Sequence, residues 1–131
     1  MNQNTELQAR KWVEFLAARQ EFPSGQKLLD AFCAGTLTRL CDCGCNSFDI
    51  DVPAHAGIEP LSTPGGGGAV FEMDFEVGKN KTIELIVHVA VNGHLSSLEV
   101  DYCGNSLPMP EMPEITAPPF HVWASASLHA A

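Results

Sequence analysis

The run Cys41-Asp42-Cys43-Gly44-Cys45 places three thiols in five residues, and Cys103 supplies another far along the chain. Thiolates are good ligands for zinc, so Cys41, Cys43, Cys45 and Cys103 form a candidate four-sulfur Zn site. Spacing works against it: paired ligands in structural zinc sites usually have about two to four residues between them, and neighbouring thiols in C-x-C-x-C have a single one. On a flat strand Cys41 and Cys45 would lie about 13 Å apart. Sulfurs that share a zinc each sit about 2.3 Å from it, so the backbone must turn sharply, at Gly44, before three converge. A disulfide inside the cluster meets the same obstacle, and a redox-responsive bridge to Cys103 is easier to build where strands adjoin. The plainer reading treats these cysteines as small hydrophobes near a strand end. Cys33, at helical spacing from Leu28 and Leu29, is read that way too.

A second set of candidates comes from alternation. Phe71, Met73, Phe75 and Val77 alternate with Glu72, Asp74 and Glu76, and Ile83, Leu85, Val87, Val89 and Val91 form another such row. Period two marks strands with one buried and one wet face. It places Glu72, Asp74, Glu76, Glu84, His88, Glu99 and Asp101 together on the wet face, with Glu84 opposed to Asp101 and Ser97 opposite His88. Directly opposed like charges destabilise a sheet. Such a face either keeps the protein in solution or steers a basic partner onto it. Calcium fits less well, since it takes six or more oxygens and a flat strand face does not wrap them. A hydrolase reading of His88 and Ser97 lacks an oxyanion donor and a nucleophile elbow.

Charge and composition bound the function. The chain has 131 residues, is 45% hydrophobic and carries a net charge of −9. That size and apolar content suit a small domain with its own core. Residues 41–131 hold only Lys79 and Lys81 against twelve acidic side chains. Nucleic-acid binding needs clustered Lys and Arg, so it is excluded as an expectation. No apolar stretch approaches the ~20 residues needed to span a bilayer. MNQNTELQAR has no apolar core of a secretion signal, so the expected location is cytoplasmic, where thiols stay reduced.

The positioning elements read as an α+β fold. Thr5-Glu6-Leu7-Gln8 forms a capping box, with Ala9, Trp12, Val13 and Leu16 on one stripe behind it. Phe22-Pro23-Ser24-Gly25 breaks that helix, and Ser24 opens a second that stops at Gly35. Strands follow at Phe48, Ile50 and Val52 and at the two rows above. Asn92-Gly93 predicts a two-residue type I′ hairpin that pairs Val91 with His94, Val89 with Ser96, Val87 with Leu98, Leu85 with Val100 and Ile83 with Tyr102. Gly78-Lys79-Asn80 turns the preceding hairpin. Residues 53–68 read as a long loop ending in Gly65 to Gly68, with no following Lys-Ser/Thr to make a phosphate cradle. From Leu107 the chain is Pro-rich, with Phe120, Val122 and Trp123 expected to anchor it by packing. The expected organisation is one domain over 1–123 with a flexible tail at 124–131. Two N-terminal helices would cover one face of a mostly antiparallel sheet of four or five strands.

Cys41-Asp42-Cys43-Gly44-Cys45-Asn46-Ser47-Phe48-Asp49-Ile50, then Asn92-Gly93-His94-Leu95-Ser96-Ser97-Leu98-Glu99-Val100 and Gly104, resembles a family of small bacterial proteins. Those combine a cysteine-rich C-x-C-G-C strand, a G-x-L-x-x-L-E-V hairpin and a Pro-rich tail. The likeness covers residues 20–114 and includes the Phe22-Pro23-Ser24-Gly25 break. The family has no assigned activity, so the resemblance implies a fold and no mechanism. The functional expectation is a binding protein, not an enzyme, whose acidic face docks a basic protein; an immunity-type, toxin-neutralising protein is its sharper form. The alternative is a thiol, Zn-binding or redox-responsive protein acting through Cys41, Cys43, Cys45 and Cys103. A homodimer through a free sheet edge is compatible with either.

Overall fold

The Thr5 hydroxyl accepts the Gln8 backbone N–H at 3.1 Å and opens helix α1 (Glu6–Ala17), whose Ala9, Trp12, Val13 and Leu16 turn inward. The computed structural model describes residues 4–42, 45–106 and 115–129. Cys43, Gly44 and the Pro-rich stretch at Leu107, Pro108, Pro110 and Pro113 lie outside the described residues. Pro23 separates α1 from α2 (Gly25–Ala34), which buries Leu28, Ala31 and Phe32. Cys33 is exposed, contrary to its expected place in the core. Leu28 and Phe32 define the inward row of α2, and Cys33 lies about 100° further round, past the edge of the stripe. Among the described residues no helix is long and apolar enough to cross a membrane.

Among the described residues, six strands form one antiparallel sheet in the order β1-β2-β5-β4-β3-β6: β1 (Thr36–Leu40), β2 (Phe48–Asp51), β3 (Gly68–Gly78), β4 (Lys81–Val89), β5 (Leu95–Tyr102) and β6 (His121–Ala124). The helices and the turn between them cover one face through edge-to-face ring contacts, Phe15 of α1 on Phe75, Phe22 of the turn on Phe71 and Phe32 of α2 on Phe48. The α+β class with N-terminal helices is therefore as expected, but the sheet has six strands instead of four or five. The two additions, β1 and β6, are the sheet's edges.

Cys41, Asp42 and Cys45 lie outside the strands, between β1 and β2. Residues 41–47 connect β1 to β2, and the Cys41 N–H donates to the Ser47 carbonyl at 3.0 Å to close that connection. The Asn4 side-chain amide bridges the Cys41 and Ser47 carbonyls at 2.9 and 2.8 Å. Asn46 is fully buried, and its Oδ1 accepts from Trp12 Nε1 at 2.8 Å and from the Gln8 amide at 3.4 Å. The cysteine segment is thus tied to α1 by polar contacts inside the core.

The β4–β5 register matches expectation at Ile83–Tyr102, Leu85–Val100 and Val87–Leu98, and departs from it at the tip. Val89 pairs with Leu95, not Ser96, and the pairing shifts between His88 and Val89. A type I′ turn would need positive φ at Asn92, which is absent here. The Asn92 Oδ1 instead accepts the His94 N–H at 3.0 Å, and the Gly93 N–H closes the turn on the Ala90 carbonyl at 2.9 Å. Gly93 alone takes the left-handed conformation, at φ 84°. A Cβ there would also run into the Ser62 carbonyl, because the Gly93 carbonyl accepts the N–H groups of Leu61 and Ser62. The hairpin tip is longer than expected because it docks on this loop.

The chain after Pro119 is not held as expected either. Phe120, Val122 and Trp123 are among the most exposed large apolar side chains, so packing is not their role. The segment is attached by backbone hydrogen bonds: β6 pairs with β3, and Ser125, Ser127 and His129 bond to Val70, Thr63 and Leu61 at 2.7–2.9 Å. Residues 124–129, expected as a flexible tail, are part of this attachment.

Candidate functional site

Cross-strand partners in an antiparallel sheet share a face, so the register alone maps the surface opposite the helices. One row crosses four strands as His121, Asp74, Glu84 and Asp101; the next runs Trp123, Glu72, Ile86 and Glu99. A further row holds His88, Ser97, Asp49 and Arg39, and Glu76 sits opposite Thr82. The expected set of Glu72, Asp74, Glu76, Glu84, His88, Glu99 and Asp101 is brought onto one face, with Glu84 directly opposed to Asp101. His88 turns to the carboxylate beside it, with Nε2 2.7 Å from Glu99 Oε1, and not to Ser97.

The centre of this face is electrostatically crowded. Asp74 has carboxylates on both sides, Glu72 two residues along its own strand and Glu84 across on β4. Burial, a proton shared with Glu72 and the charges of Glu72 and Glu84 push Asp74 up to about 7, against a smaller opposing pull from His121. Glu84 is also held above the ordinary carboxylate range, by burial first and then by the charges of Glu72 and Asp101. Asp74 is only 8% exposed, and its Oδ1 has no hydrogen-bond partner. Buried polar atoms are nearly always paired, so an orphan of this kind calls for a cause.

Nothing in the sequence pattern marks His121 or Trp123 as a site residue. They belong to β6, whose four residues His-Val-Trp-Ala do alternate, but in a stretch where prolines indicate an irregular chain. His121 Nε2 lies 3.5 Å from Glu72 Oε2. Among the described residues, the group that brings three ligand atoms within 4.8 Å of one another is Glu72, Asp74 and His121. Cys41, Cys45 and Cys103 make no such group, and Cys43 lies outside the described residues. Cys41 and Cys45 border a cavity of about 260 Å³ that also touches Arg39, Asp49 and Glu99, at the β1–β2–β5 corner of the same face.

Fold and face together define an α+β protein with helices on one side of an antiparallel sheet and carboxylates on the other. No protein-family model, curated protein or solved structure matches this chain.

Proposed function

We propose that this is a non-catalytic binding protein whose acidic sheet face docks a Lys/Arg-rich protein surface. The observation that carries this reading is the row Asp74, Glu84 and Asp101, directly opposed across β3, β4 and β5. A sheet gains nothing by itself from aligning like charges, and each opposed pair lowers its stability. A basic partner converts that repulsion into attraction and steers its own approach. Toxin neutralisation by an immunity-type protein is one activity built this way, with the carboxylates covering a cationic enzyme surface. Self-association through this face is disfavoured by its charge, so a homodimer would use the β1 or β6 edge.

A fluorescent Arg-rich peptide serves as the probe, with dissociation constants measured at low and high salt. Tight, salt-sensitive binding is expected, and the double variant Glu84→Lys/Asp101→Lys should weaken it by about tenfold or more. Glu6→Lys/Glu14→Lys changes the net charge equally at exposed positions of α1 and should cost less than about threefold. Equal losses in the two variants would reduce the effect to net charge and sink the proposal, as would binding that salt does not touch.

A further inference from the structure

We infer that Glu72, Asp74 and His121 form a binding site for a divalent first-row transition-metal cation. The three side chains come from two strands that meet late in the chain: Glu72 and Asp74 share a face of β3 because they are two apart, and β6 sets His121 directly opposite Asp74. One ligand atom from each lies within 4.8 Å of the others and His121 Nε2 stands 3.5 Å from Glu72 Oε2, so small side-chain rotations bring all three to the ~2.0–2.2 Å at which one ion is held.

The donors are two carboxylate oxygens and one imidazole nitrogen. That set suits manganese, iron, cobalt or zinc, and it falls well short of the six or more oxygens calcium takes. Three protein ligands leave coordination positions for water, as in open metal sites. Glu84, opposed to Asp74 on β4, is placed to orient a ligand or a bound water.

A row of surface carboxylates would not by itself indicate a metal. The independent observation is Asp74, more than nine-tenths buried, with Oδ1 left without a hydrogen-bond partner. A solvated acidic face would hydrate that oxygen, and a structural carboxylate would be given a donor. Here its neighbours are two more carboxylates and an imidazole. A cation between them supplies the missing partner and cancels the repulsion. Asp74 belongs to this site and to the docking row, but the two tests fail separately: peptide binding is read at Glu84 and Asp101, and ion uptake at Asp74 and His121.

The test uses manganese chloride on the full chain, followed by the loss of the free-ion signal in electron paramagnetic resonance. Manganese favours oxygen and nitrogen ligands over thiolates, so the cysteine segment does not compete. One ion per chain is expected. His121→Ala, on an exposed edge strand, and Asp74→Asn should each weaken uptake by about tenfold or more. Glu76→Gln, an exposed carboxylate on the same face, should retain it. Absence of stoichiometric uptake overturns the inference, and so does wild-type affinity in His121→Ala. A loss in Glu76→Gln as large as in the other two would show diffuse attraction and overturn it too. If Asp74→Asn does not fold, the comparison of His121→Ala with Glu76→Gln decides.

Discussion

Trp12→Ala is expected to lower the free energy of unfolding by about 3–5 kcal/mol, a large share of what a small domain has. Trp12 is fully buried, and its ring meets Phe15 edge-to-face at 5.9 Å. Phe15 in turn contacts Phe75 of β3, so the indole lies at the junction of α1 and the sheet. The truncation opens a cavity and also removes the 2.8 Å donor to Asn46 Oδ1. Asn46 would keep the Gln8 amide at 3.4 Å, a weaker contact for a fully buried group. Trp12→Phe separates the two effects: it keeps most of the ring and loses the donor, and should cost about 1–3 kcal/mol. Urea unfolding at constant pH measures both variants. A Trp12→Ala midpoint near that of the parent protein would refute this account of the core.

The strands that the sequence shows are those whose surroundings leave period two undisturbed. Over Phe71 to Phe75, Ile83 to Val87 and Leu98 to Tyr102 the apolar inward residues alternate and the pairing shifts lie outside these stretches, so the acidic face and the Glu84–Asp101 opposition are legible in the sequence. β1 was hidden by its own irregularity. The pairing slips between Leu37 and Arg39, so Leu37 and Leu40, three residues apart, meet the core-facing partners Ile50 and Phe48. A bulge erases the alternation that identifies a strand. β6 was hidden for another reason: it adds almost no buried side chain, and its attachment is by backbone hydrogen bonds, which any sequence can make. His121 was therefore visible only as a histidine, and its partnership with Glu72 and Asp74 depends on a pairing between residues 47 apart. The tip of the β4–β5 hairpin failed for want of tertiary information. Asn92-Gly93 favours a tight turn locally, and docking on Leu61 and Ser62 selects a wider one.

In buffer containing a chelator, stability should fall as pH rises from about 4 to 8, by about 2 kcal/mol and at most about 4. The sign follows from Asp74. Its carboxyl titrates near 3.8 when unfolded and near 7 when folded, so between those values the folded chain holds a proton that the unfolded chain has released. Where the native state binds more protons, raising the pH favours unfolding. The contribution is fully present below about 3.8 and is lost as pH passes through about 7. The gap between the two values, at about 1.4 kcal/mol per pH unit, sets the ceiling, and sharing the proton with Glu72 reduces the return. Three groups face this carboxyl: Glu72 on its own strand and Glu84 on β4 hold the proton on, and His121 on β6 works weakly against them. Glu84, also raised, acts in the same direction as Asp74. Glu21 acts oppositely, since its pairing with Arg19 holds its carboxyl below the ordinary range, but a surface ion pair of that kind is worth under about 1 kcal/mol. Asp74→Asn should flatten the profile and unfold at a higher urea concentration than the parent at pH 8. Net charge also grows more negative with pH, and this variant separates the two effects, because it removes the titration of Asp74 alone and keeps every other titratable group. A parent protein that gains stability toward pH 8, or an Asp74→Asn variant with the same slope, would show that the carboxylate row carries no repulsive strain for a partner to relieve.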